Sequence, residues 1–251
     1  ITAALGAREL KDLTAASIYA DTAASESRHA LQAGRVEDAA QLSAEVYDIA
    51  DGVLLQRPGD LRSMQNRALA ASFLASLAAR RYDYSRAESY AERHRETAEN
   101  YVRFNPSNLS AWDYVTRAQN QLQAIQFEQG RVQDARRTLR ATVELRNDTR
   151  LPSSLLPQLG FVLDALARLA ARTGDLKAAH DALALGEEAS RQGLKDLPMD
   201  DPWRPLQPIA DRQIRAEVAY LSGRHEEAFR LASGNVAALR KLKVPEQRDT
   251  L

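Results

Sequence analysis

Four histidines, His29, His94, His180 and His225, are the chain's only imidazoles, and it has no cysteine. No two of them stand at the HxxxH or HExxH spacing that sets two metal-binding nitrogens on one helical face. Glu26-x-x-His29 puts a carboxylate and an imidazole one turn apart. A di-metal bundle needs two such motifs and two further acids, so a solvated or capping pair is expected. Serines such as Ser153 and Ser154 lack a Gly-x-Ser-x-Gly frame, and nucleophilic catalysis would need a base in reach. No GxGxxG or Walker-type glycine loop is present. The expectation is therefore no catalytic site, no metal and no cofactor. Arginines cluster at Arg80-Arg81, at Arg93 and Arg95, and at Arg136-Arg137 with Arg140. Acids are interspersed among them, as on a solvated helical face. Basic and acidic residues both number 34, so no net field draws the chain toward nucleic acid or anionic lipid.

The elements that would position these residues are helices. Aromatics make up only 6% of the chain while alanine and leucine abound, which suits helices packed closely through small side chains. Apolar spacing such as Met64, Ala68, Leu69, Phe73, Leu74 and Leu77 is helical. Ten helices are predicted. The first six begin near Glu9, Val36, Leu61, Ser85, Leu109 and Val132 and the eighth near Leu176, while the sixth ends near Asp148, the seventh near Arg172, the ninth near Leu221 and the tenth near Lys243. Asn108 is the expected N-cap of the fifth. No stretch alternates long enough for a strand. No run reaches the ~18–20 apolar residues of a membrane span.

An internal ruler organises these helices. Gly130-Arg131-Val132-Gln133-Asp134-Ala135 shares its glycine–four residues–alanine frame with Gly34…Ala39, Gly174…Ala179 and Gly223…Ala228. Tyr82…Ala87 keeps the alanine without the glycine. Successive copies lie 48, 48, 44 and 49 residues apart, and a proline follows each by 22 to 24 residues. Each junction reads as a tight turn between antiparallel helices. Glycine supplies positive φ, alanine permits close approach of the two helices, and proline ends the second helix. A tyrosine is costly at positive φ, so the second turn should either differ in geometry or present its ring to a neighbour. Trp112, at a repeat-equivalent apolar position, is expected in the core. Trp203 lies in the Pro-rich linker outside the register.

This register resembles the tetratricopeptide repeat family. Leu166-Ala167…Gly174…Ala179…Pro198 and Leu74-Ala75…Ala87…Pro106 carry the likeness best. It departs from the family in period, about 48 residues against about 34, the excess amounting to about two helical turns in each helix. The resemblance implies an all-α, right-handed superhelical α-solenoid of five hairpins. A non-repeating helical bundle is the alternative. A single domain spans 1–251, with repeats near 9–58, 59–106, 107–152, 153–198 and 203–245. The first and last would act as caps, with Glu26, His29, Arg212 and Arg215 at core-type positions facing solvent. The absence of an initiator Met suggests a piece of a longer protein.

In such solenoids the first helices of the hairpins line a groove. Register places Arg80, Arg117, Asn120, Phe127, Arg168 and Arg172 on that face, a basic set with one aromatic that could clamp a carboxylate or an acidic peptide. The residue types do not match the family's known carboxylate clamp. The expected function is a non-catalytic protein–protein interaction or scaffold module within a larger bacterial-type signalling or regulatory protein. A ligand- or peptide-sensing domain that regulates an attached effector is the alternative. The partner would be protein or peptide, not nucleic acid or membrane. Oligomeric state and compartment stay open, with the cytoplasm favoured slightly over the periplasm.

Overall fold

The computed structural model describes residues 12–144, 156–196, 198–201 and 204–242, excepting the side chains of 142, 143, 156–159, 161 and 196. Its helices are α1 (Leu13–Gln32), α2 (Val36–Gln56), α3 (Leu61–Arg80), α4 (Tyr84–Phe104), α5 (Leu109–Glu128), α6 (Val132–Glu144), α7 (Leu156–Arg172), α8 (Leu176–Asp196), α9 (Gln207–Leu221) and α10 (His225–Lys241). Described residues include no strand. The expected start of the first helix at Glu9 and end of the sixth at Asp148 lie outside the described residues, as does Trp203.

All five junctions close in the same way. Gly34, Gly130, Gly174 and Gly223 have φ between 74° and 77°, and Tyr82 has φ 60°. In each, the N–H of the next residue reaches back five residues: Arg35 to the Ala30 carbonyl, Asp83 to Ala78, Arg131 to Gln126, Asp175 to Ala170 and Arg224 to Ala219, at 2.8–3.0 Å. This is the Schellman closure, which satisfies carbonyls left open at a helix end. The same next residue then starts the second helix. Asp83 and Asp175 accept from backbone N–H groups three residues on. Arg35, Arg131 and Arg224 pair instead with Asp38, Asp134 and Glu227.

The frame alanines Ala39, Ala87, Ala135 and Ala179 are fully buried, and Ala228 nearly so. Around them the core forms a series of three-helix clusters. Ala23, Val46, Tyr47, Ala71 and Leu74 join α1, α2 and α3. Ala75, Ala87, Ala91, Leu122 and Ile125 join α3, α4 and α5. Ala167, Ala179, Leu183, Ile214 and Val218 join α7, α8 and α9. Each cluster thus uses one hairpin and the first helix of the next. Trp112 is buried and donates its indole N–H to the Pro106 carbonyl at 2.8 Å, tying α5 to the turn before it. Asn108 caps α5 through the backbone N–H groups of Ser110 and Ala111. Glu26, His29 and Arg215 are exposed.

The chain divides into two compact units, with the boundary in the last turn of α6 after Thr142. The first contains α1–α5 and most of α6, and α1, α3 and α5 are successive neighbours in it. The second contains α7–α10, with α7 beside α9.

A Cβ built on Gly34, Gly130, Gly174 or Gly223 would meet nothing within 4 Å. Space does not require glycine there; the left-handed backbone does. Tyr82→Gly should therefore stabilise the protein by about 1 kcal/mol, and Gly130→Ala should destabilise it by a similar amount. Urea unfolding of the two variants beside the parent checks both signs.

Candidate functional site

In the first unit, the face shared by α1 and α3 opens a cavity of ≈ 190 Å³. Ala24, Arg28 and Leu31 border it from α1, and Leu69, Ala70 and Phe73 from α3. These are first-helix positions of consecutive repeats, brought together because 48 residues separate equivalent points. Leu31 and Leu69 are 43% and 37% exposed, so apolar groups stand open to solvent. Behind them the polar groups are satisfied. Ser27 bonds to the Ala39 carbonyl at 3.0 Å, and its hydroxyl lies 2.8 Å from that of Ser43. Asn66 donates to Asp21 at 2.6 Å. Arg28 stands at the rim, and among the described residues its one polar contact is a long one to the Ser25 hydroxyl, 3.3 Å. The arrangement offers an apolar hole beside an available guanidinium.

The six residues singled out by register fall in both units. Arg80, in the last turn of α3, is exposed. Arg117, Asn120 and Phe127 lie on neighbouring α5. Arg117 is held by Asp113 at 2.8 Å on its own helix, so part of its charge is already answered. The carboxamide oxygen of Asn120 is buried without a described donor. Arg168 and Arg172 belong to α7 in the second unit. Arg168 pairs with Glu217 of α9 at 2.5 Å. Sequence reasoning placed these helices but missed the cavity. Leu69 and Phe73 read as ordinary periodic apolar residues, and only packing shows the open space between them and Leu31.

A second recess, of ≈ 380 Å³, lies at the turn between α3 and α4. Ala79, Ala124 and Ile125 line it together with Arg80, Tyr82, Tyr84 and Glu128. Tyr82 keeps the left-handed geometry of its glycine counterparts, and its ring, 79% exposed, meets Tyr84 edge-on at 6.3 Å. The ring finds a neighbour while the turn geometry is unchanged.

Among the described residues, His94 and Asp164 are displaced strongly from their usual behaviour. His94 of α4 is buried. Its Nδ1 lies 3.2 Å from the Gln121 carboxamide oxygen, while the Gln121 amide donates to the Ser72 carbonyl and the Ser76 hydroxyl. That fixes Nδ1 as the donor and leaves Nε2 an acceptor without a described partner. Burial lowers its pKa to about 4. Asp164 of α7 is pushed up to about 7, first by burial and then by Asp211, Glu217 and Glu187, against the opposing pull of Arg168. No group of three or more metal-ligating side chains is assembled among the described residues, and no described helix is long and apolar enough to cross a membrane.

These shifts have opposite signs for stability. His94 titrates lower when folded, so its neutral form favours folding above about pH 6.5 and the first unit loses stability as pH falls toward 4. Asp164 titrates higher when folded. Its contribution is full below the unfolded value of about 3.9 and is lost as pH rises through about 7. Hydrogen exchange followed from pH 4.5 to 8 should show the first unit weakening at the acid end and the second at the basic end. His94→Asn should flatten the former, and Asp164→Asn the latter.

No protein-family model matches the chain, and no curated protein matches it. Among solved structures, a Podosopora anserina protein assigned as a kinesin light chain, built of nearly identical TPR-like repeats, superposes with TM-score 0.59 at 20% identity. The match covers 91% of this chain and 98% of that one. A point-substituted form of that protein gives TM-score 0.54 at 21% identity, covering 90% and 96%. Equivalent helix pairs, a shared turn closure and these superpositions lead to one structural conclusion: the chain has a TPR-like helical repeat fold.

Proposed function

We propose that the chain is a non-catalytic interaction module that binds an extended segment of a partner protein along the first helices of its hairpins. The observation that carries this reading is the open apolar cavity between α1 and α3, rimmed by Arg28. An apolar side chain of the partner would enter beside Leu31, Leu69 and Phe73, and an acidic neighbour would meet Arg28. In the first unit, Arg80, Arg117, Asn120 and Phe127 extend the same series of first helices. Arg168, which pairs with Glu217, and Arg172 place two further arginines on α7 of the second unit. The TPR-like fold supports a scaffold over an enzyme, since repeat stacks present long surfaces. Placement in a bacterial-type signalling protein rests only on the long-helix resemblance.

Peptides selected from a random display library against the full chain should share an apolar anchor next to an acid. Leu69→Asp and Arg28→Glu should each weaken them at least tenfold, about 1.4 kcal/mol, with circular dichroism unchanged. Charge reversal at Arg117 should weaken those whose acids extend toward α5. Selected peptides indifferent to all three substitutions would rule out this face.

A further inference from the structure

Four of the five turns use glycine where the backbone demands positive φ; the second uses tyrosine. It accepts the left-handed conformation at φ 60°, where a bulky side chain is strained. The ring recovers little by burial, being 79% exposed. Strain and exposure at one residue are unexplained by folding, because glycine serves the other four turns.

The surroundings suggest a use. Tyr82 and Tyr84 present two rings at 79° to one another over a floor of Ala79, Ala124 and Ile125. Arg80 and Glu128 border the same recess. Neighbouring charges are paired: Arg81 with Glu37, and Arg131 with Glu88. Among the described residues, Arg80 and Glu128 have no ion-pair partner and do not pair with each other, so both charges stand available.

We propose that this recess is a second docking point, specific for an extended proline-containing peptide with an acid on one side of the proline and a base on the other. The inference rests on the interaction-module reading and adds a site and a ligand chemistry to it. A proline ring is compact and rigid, matches an aromatic wall over a floor of small groups, and comes from a chain already ordered as polyproline II. The shallow, open recess suits a strand of peptide crossing it better than a small molecule, which needs enclosure. Arg80 would take the acid and Glu128 the base, fixing the direction of the chain.

The test uses the full chain and fluorescein-labelled decapeptides with two central prolines, one flanking aspartate and one flanking lysine, made in both orders. Controls carry alanine for proline or serine for the charged residues. Fluorescence anisotropy should show one order binding at least tenfold more tightly than the other and than the controls. Tyr82→Gly should reduce that binding at least tenfold while leaving Tm equal or higher, and Arg80→Glu should also reduce it. Leu69→Asp and Arg28→Glu should leave it unchanged, which separates this site from the α1–α3 cavity. Failure of both orders to exceed the alanine control would overturn the proposal. So would unaltered binding by Tyr82→Gly, or a lower Tm in that variant, which would make the ring a structural brace.

Discussion

The fold depends on one local constraint repeated five times: a left-handed residue followed, five positions on, by a buried alanine. The first lets a helix end and reverse within one residue, because the N–H after it closes back on a carbonyl five residues earlier. The second brings the two helices together closely enough to share a core. Side-chain identity elsewhere in the turn is free to vary, and it does. Two copies start the next helix with an aspartate cap, and three use an arginine paired three residues on. The aspartates accept from the open N–H groups directly; the arginine-started helices instead carry the paired acid in their first turn, at the positive end of the helix dipole.

Because every hairpin has the same closure, equivalent residues of successive repeats become neighbours, and the charges between turns follow that rule. Arg131 reaches Glu88 of the preceding hairpin, and Arg224 reaches His180 of its own predecessor. In both cases a residue one past the turn meets a residue six past the earlier one. Such contacts are exposed and individually weak. Their value lies in setting register between repeats whose alanine-rich interfaces are smooth. The candidate binding features arise where this regularity leaves something over: an unfilled apolar space between α1 and α3, and an aromatic at the second turn.

Much of the architecture was legible in the residues. The starts of α2 and α8 follow from Gly34 and Gly174, and the end of α2 from the proline 24 residues after Gly34, since these punctuate the backbone directly. Asn108 as cap was readable from local hydrogen-bonding chemistry, and Trp112 as core from its repeat position. Side-chain pairing was not legible. Arg117 looked like an available clamp, yet Asp113 one turn away engages it. Arg168 looked equally available, yet Glu217 lies 49 positions on in sequence and meets it through the contact of α7 with α9. His94 read as one of four unremarkable histidines until burial and the Gln121 carboxamide gave it a tautomer and a lowered pKa.

Sequence by itself determined the period, the turns and the helix faces, because a glycine's backbone freedom, a proline's missing N–H and a 3.6-residue apolar spacing act over a few residues and need no distant partner. Tertiary structure alone decided which space stays empty, which charge stays unanswered and what Tyr82 does. The empty space beside Leu31 and Phe73 and the pairing of Arg168 depend on atoms some 40 to 50 residues apart in the chain. A cavity is a failure of two helices to fill the volume between them, and no single helix carries the information that its neighbour's side chains fall short.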